Sequence, residues 1–181
     1  MKITRLRIPD VLSIEHRVFE DARGFFFESF NEKIFAVETG LRAHFVQDNV
    51  SRSGKNVLRG LHYQIANPQG KLVRVTAGES YHVAVDLRKN SPTFRQWVGS
   101  LIRADARLSI WIPPGFAHGF LVLSDIAEVI YKVTDYWHPQ AERRILWNDP
   151  DLGIQWPLAG EPILSQADLA AKRFRDAEMF E

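Results

Sequence analysis

Apolar and polar residues alternate along most of this chain in runs of roughly four to eight, the period-2 signature of half-buried strands. Lys71-Leu-Val-Arg-Val-Thr76 puts Lys71, Val73 and Val75 on one face, so that lysine belongs at a rim or inside. Ser80 to Leu87, Trp97 to Ile102 and Leu108 to Ile112 read as further strands, the last ending in the rigid turn Pro113-Pro114-Gly115. His118 to Leu123 leaves that turn with His118, Phe120 and Val122 on one face, and Glu128 to Val133 sets Tyr131 in the row of Val129 and Val133. Residues 1 to 18 read as short strands interrupted by Pro9, and Asp21 to Gly24 as a turn before an aromatic strand. Helix signals are few. Asn31 to Glu38 suits a short helix ending near Gly40, and Ser165-Gln-Ala-Asp168 looks like a capping box for a helix through Arg175. Asp168 then reads first as a cap. About ten short strands without intervening helices predict an antiparallel β-sandwich or barrel, a jelly roll with a short helical tail, and argue against parallel α/β. With no linker, repeat or low-complexity stretch, residues 1–181 read as one domain.

Two stretches depart from simple alternation. Val57-Leu-Arg-Gly-Leu-His-Tyr-Gln64 carries Arg59 and His62 three apart, so on a regular strand they point oppositely. Both serve one pocket only if Gly60 permits a bulge or Arg59 sits at the strand's mouth. Otherwise this is a half-buried strand with an outward arginine and a satisfied histidine. Gln47-Asp48-Asn49 places three polar side chains in a row, aimed at something or folded into an Asx turn.

Composition narrows the partners. Hydrophobic residues are 45%, charged residues 25%, and the formal net charge is +1, so nucleic acid and membrane surfaces exert no bulk electrostatic pull. Any anion needs a local cationic cluster. The absence of cysteine excludes disulfides and thiolate chemistry. The first residues lack a signal-type apolar region, and no run approaches the ~20 residues of a membrane span, so a cytoplasmic soluble protein is expected.

Metal chemistry has weak support. No two of His16, His44, His62, His82, His118 and His138 lie within four residues of each other. Pro113-Pro-Gly-Phe-Ala-His118 resembles the second cupin motif, Pro-x-Gly-x-x-His, but the first requires His-x-His and this chain has His62-Tyr63-Gln64. The resemblance implies a cupin-like jelly roll without its metal. Nucleophile elbows and Gly-rich phosphate loops are also missing. Acid–base work by His and Tyr remains, with Arg and Lys available for an anionic substrate.

An ordered set of motifs then narrows the reading. Phe19-x-Asp-x-Arg-Gly-x-Phe26, Gln47-Asp-Asn-x-Ser51, Val57 to Gln64, Lys71-Leu-Val-Arg74 and Val85-Asp-Leu-Arg88 are followed by Ser91-Pro-Thr-Phe94 and Ile112-Pro-x-Gly-Phe-Ala-His-Gly-Phe120. Tyr131, Trp147-Asn-Asp-Pro-Asp-Leu-Gly-Ile-x-Trp-Pro157 and Leu164-Ser-x-x-Asp168 complete it. From Ile3 to Asp168 the chain resembles the dTDP-4-dehydrorhamnose 3,5-epimerase family. The resemblance implies a metal-free, cofactor-free homodimer acting on a dTDP-linked 4-keto-6-deoxyglucose. By match of motif, His62 is the general base, Tyr131 the general acid, Asp168 the partner of His62, and Lys71 the stabiliser of the enolate. Arg23 and Arg59 would hold the diphosphate, with Phe26, Glu28, Gln47, Asn49, His118 and Glu142 lining the substrate site.

The chain departs from the family pattern at Ala167, where lysine is common, at Arg143-Arg144-Ile145, where Gly-Ile is common, and at Arg52, where serine is frequent. The competing readings are an epimerase inverting only C3 or only C5, a non-catalytic sugar-nucleotide binding module, and a metal-dependent cupin, which the missing His-x-His disfavours.

Overall fold

A computed structural model describes residues 1–181, and its thirteen strands build two antiparallel sheets and one separate hairpin. The larger sheet orders β1 (Lys2–Arg5), β2 (Leu12–Glu15), β10 (Leu108–Ile112), β7 (Lys71–Ala77), β12 (Ile126–Val133) and β5 (Gln47–Gly54) side by side. The smaller orders β13 (Glu142–Arg144), β6 (Leu58–Gln64), β11 (Phe116–Val122), β8 (Glu79–Asp86) and β9 (Trp97–Arg103). The hairpin pairs β3 (Phe19–Asp21) with β4 (Gly24–Phe26). This is the expected antiparallel, cupin-like jelly roll.

The two sheets pack face to face because their inner rows are branched aliphatic or aromatic. Val73, Val75, Ile110, Ile112 and Val129 from one sheet meet Ala84, Phe116, Phe120 and Val122 from the other in one buried cluster. Each such aliphatic or phenyl side chain contributes about 1.5–3 kcal/mol on burial. The outer faces are covered too, which explains why several strands are apolar on both faces. Leu61, Tyr63, Val83 and Val85 lie under the C-terminal segment carrying Ile145, Leu152, Ile154 and Phe174. Leu12, Ile14, Leu72 and Trp111 lie under Phe35 of α1 (Glu32–Thr39). That helix starts where the Asn31 side chain accepts from the Ile34 N–H and stops at Gly40, in the left-handed region.

The C-terminal helix is shorter than its pattern predicts. α2 covers only Gln166–Leu169 rather than running through Arg175. Lys172 instead pairs with Ile145, donating its N–H to the Arg144 carbonyl and accepting from Leu146 N. Tertiary pairing outcompetes a good local helix pattern, and Phe174 then drops into the outer cluster. Gln47 to Asn49 is a strand rather than an Asx turn, pairing with Val133 to Tyr131 in register. No helix is long and apolar enough to cross a membrane.

Candidate active site

Toward the edges formed by β5 and β13, the space between the sheets stops being apolar. β5 inverts the usual alternation: Val50 is 66% exposed, while Gln47, Asn49, Ser51 and Ser53 turn inward. His62, Lys71, Tyr131 and Glu142 join Gln47 and Asn49 around a cavity of about 270 Å³. His62 belongs to the smaller sheet and Tyr131 to the larger, so they approach the cavity from opposite walls.

The Gly60 question is settled by a bulge. β6 pairs with β11 as His62 with His118 but Arg59 with Phe120, so β6 spends one more residue over that interval. Gly60 has φ +117° and packs so closely on Gly119 and His118 that no side chain fits. Arg59 comes out exposed at the rim, its Nε donating to Ser53 Oγ at 3.1 Å, and His62 turns inward.

His62 and Asp168 form a tight pair. His62 Nε2 lies 2.5 Å from Asp168 Oδ1, and Asp168 is 4% exposed. A carboxylate there accepts from Nε2–H and leaves the lone pair on Nδ1. Ser165 caps α2 by accepting from Asp168 N, and its hydroxyl donates to Asp168 Oδ2 at 2.8 Å. The cap expected of Asp168 therefore falls to Ser165, and the short helix aims Asp168 at His62. Burial alone would raise the Asp168 carboxyl. Interactions with His62, Ser165 and Arg144 outweigh it and hold the group below the usual carboxylate range.

Lys71 is buried inside the sandwich, beyond the rim position its row also allowed. Burial drives its ammonium down to about 8, with Glu142 pulling the other way. Tyr131 is pushed up, chiefly by burial, against Arg59, so its phenol stays protonated. His118 stacks on His82, and its Nε2 lies 3.2 Å from His82 Nδ1. Burial, then the positive charge of Lys71, keeps His118 neutral. On the opposite rim, Trp137 N–H donates to Gln47 Oε1 at 3.1 Å and its indole N–H to Glu142 Oε2 at 3.0 Å.

Nine of the twelve residues singled out from the sequence thus gather at or behind this cavity. Arg23, Phe26 and Glu28 do not. Arg23 is 90% exposed in its side chain and paired with Asp21, Phe26 is 67% exposed, and Glu28 accepts from Asn31. None of the three lines the cavity in its own chain. Sequence reading missed Gln64, Trp137 and Arg144. Period-2 counting from His62 finds Gln64, whereas Trp137 and Arg144 reach the site through pairings between distant segments. No group of three or more His, Asp or Glu converges as a metal-ligand set.

Known proteins share this arrangement of sheets. A family model described as dTDP-4-dehydrorhamnose 3,5-epimerase matches residues 5–176. The chain belongs to that family. A dTDP-4-dehydrorhamnose 3,5-epimerase of Pseudomonas aeruginosa is 59% identical over 180 residues, covering 99% of each chain. The crystal structure of a dTDP-6-deoxy-D-glucose-3,5-epimerase from Legionella pneumophila, in complex with dTDP-4-keto-L-rhamnose, is 50% identical with a TM-score of 0.95, covering 98% of this chain and 94% of that one. A 3'-monoepimerase from Streptomyces bikiniensis in complex with dTDP-quinovose is 34% identical with a TM-score of 0.87, covering 93% and 85%. The proteins similar to this chain thus include 3,5-epimerases and a 3'-monoepimerase.

Proposed function

We propose that the chain is a dTDP-4-dehydrorhamnose 3,5-epimerase, an isomerase converting dTDP-4-keto-6-deoxy-D-glucose to dTDP-4-keto-L-rhamnose. The observation that carries the chemistry is the pair of opposed walls, with His62–Asp168 on one side of the cavity and Tyr131 on the other. C3 and C5 both flank the C4 ketone, so loss of either proton gives an enolate whose charge rests on O4. Inversion needs a base on one face of the ring and an acid on the other. His62 Nδ1 takes the proton while Asp168 stabilises the imidazolium that forms. The Lys71 ammonium meets O4 as charge develops there. Tyr131 returns a proton from the opposite wall, and Glu142, Gln47, Asn49 and His118 hold the sugar. No electrons are transferred, so the reaction needs no redox cofactor, and chelation should leave the rate unchanged. Arg59, at the rim, receives the diphosphate.

Arg23, Phe26 and Glu28 fit this function in a homodimer. Arg23 and Phe26 belong to a hairpin exposed on every residue, with Phe19, Phe25 and Phe26 each at least half exposed; Glu28 follows it, exposed as well, and none of these residues lines the chain's own cavity. We assign this stretch to the partner's substrate site. We read the chain as a single cytoplasmic domain working as such a dimer.

Incubation with dTDP-4-keto-6-deoxyglucose in D2O tests the whole reading. Deuterium should enter at both C3 and C5, with L-rhamno configuration after reductive trapping. Exchange at one carbon only would make this a mono-epimerase, and no exchange despite dTDP binding would make it a binding module. His62→Asn should lose about 10²–10⁴-fold in exchange and inversion together. Tyr131→Phe should exchange faster than it inverts, because His62 can redeliver deuterium to the original face. Mass spectrometry and NMR read the two rates separately, and full-rate inversion by Tyr131→Phe removes it as the acid.

A further inference from the structure

Arg144 stands directly opposite His62 in the ladder between β13 and β6. Its Nη2 donates to Glu142 Oε1 at 2.6 Å, and Glu142 in turn accepts from the Trp137 indole. Its Nε lies 3.5 Å from Asp168 Oδ1 and is sealed from solvent with no hydrogen-bond partner. Its backbone carbonyl accepts from Lys172, tying the strand to the segment that carries Asp168. Position 167, beside Asp168, is an exposed alanine and brings no charge. One guanidinium therefore bridges the carboxylate that serves the base and the carboxylate that holds the rim.

We propose that Arg144 is a positioning residue for proton abstraction, locking Asp168 and Glu142 into one wall and setting the charge against which His62 takes its proton. This rests on the reading of His62–Asp168 as the base. A cation across the ladder opposes a second positive charge on the imidazole. The groups facing His62 are Asp168 and Ser165 from α2, Arg144 and Glu142 from β13, Lys71 from β7, His118 from β11 and Tyr131 from β12. Asp168 and Glu142 favour a proton there, whereas Arg144 and Lys71 oppose it. Arg144 also holds Glu142 in its geometry for the sugar.

Arg144→Gln keeps polar reach to Glu142 and removes the charge. Its acid limb of kcat/KM should move up by about half to one pH unit, the scale of a partly screened charge a few ångströms away. Arg144→Lys keeps the charge and loses the fork, so its acid limb should stay at the wild-type position while KM rises several-fold. A structural role alone would lower kcat/KM equally at every pH, and an unmoved limb in folded Arg144→Gln overturns the inference. Urea midpoints establish folding. Should Arg144→Gln not fold, Arg144→Met, which also removes the charge, takes its place: an acid limb moved up upholds the inference and an unmoved limb overturns it. His62→Asn separates the two ideas. If it keeps full exchange the base reading fails, whereas a dead His62→Asn beside an unmoved Arg144→Gln limb sinks only the role of Arg144.

Discussion

Lys71 carries its ammonium between the sheets, 8% exposed, with a single hydrogen bond of 3.5 Å to the His62 carbonyl. A charge so sparsely satisfied costs stability, and burial is what brings it down to about 8. Two opposite effects of Lys71→Met follow. Epimerisation should collapse, because nothing then meets the charge on O4. Stability at pH 7 should rise by on the order of a few kcal/mol, because each pH unit between the ordinary 10.5 and about 8 corresponds to about 1.4 kcal/mol against the buried ammonium. In the wild type the folded lysine loses its proton near pH 8 and the unfolded one near 10.5. The wild type is thus penalised in full below pH 8 and recovers as pH climbs to 10.5. The advantage of Lys71→Met should shrink over that window. Urea unfolding at pH 7 and pH 10 measures it, and a destabilised variant at pH 7 would show that the lysine is structural. In the free wild-type enzyme, kcat/KM should fall as pH rises through about 8, as the ammonium is neutralised.

β6 does its work through one irregularity. A Cβ on Gly60 would lie 2.6 Å from Gly119 Cα and 2.7 Å from the His118 carbonyl oxygen, both backbone atoms that cannot rotate away. Its φ of +117° adds strain for any other residue. Gly60→Ala should therefore cost about 3 kcal/mol or more and scatter His62 from Asp168. Gly153→Ala is the control, with φ +59° and nothing within 4 Å of the added carbon, and should cost only about 1–2 kcal/mol. Thermal unfolding compares them, and equal losses would mean that the close approach of β6 to β11 does not matter. The bulge was legible as one of two options because Arg59 and His62 three apart cannot otherwise share a pocket. The choice between them was not legible, because it depends on what β11 places opposite. The strand β13 and the early end of α2 escaped sequence reading for the same reason: Arg144 and Lys172 are organised by partners in distant segments, not by local pattern. The row Val129, Tyr131 and Val133, by contrast, follows from alternation alone, and the structure keeps it inward.

The molecule as a whole leaves an unfinished edge. Its sandwich is covered on both outer faces where α1 and the C-terminal segment lie, yet the hairpin of β3 and β4 projects with three exposed phenylalanines. The motif that includes Arg23 and Phe26 was readable in the sequence, but its position relative to the cavity was not, because one chain does not bring them together. In a two-fold dimer a hairpin that serves the partner's cavity makes each active site composite. Mixing two crippled chains then distinguishes this arrangement from a self-contained one. Arg23→Ala with Phe26→Ala spoils the hairpin, and His62→Asn spoils the cavity. In a mixed dimer of the two, one site receives both defects and the other receives neither. Random assortment makes half the dimers mixed, so activity should return to about a quarter of wild type. If each hairpin served its own cavity, every site in the mixture would keep one defect and activity would stay at the mean of the two variants. Differently tagged chains, co-expressed and purified through both tags, raise the expected recovery to about half, one intact site in every dimer. Recovery absent from that doubly purified species would return Arg23 and Phe26 to a role outside the substrate site.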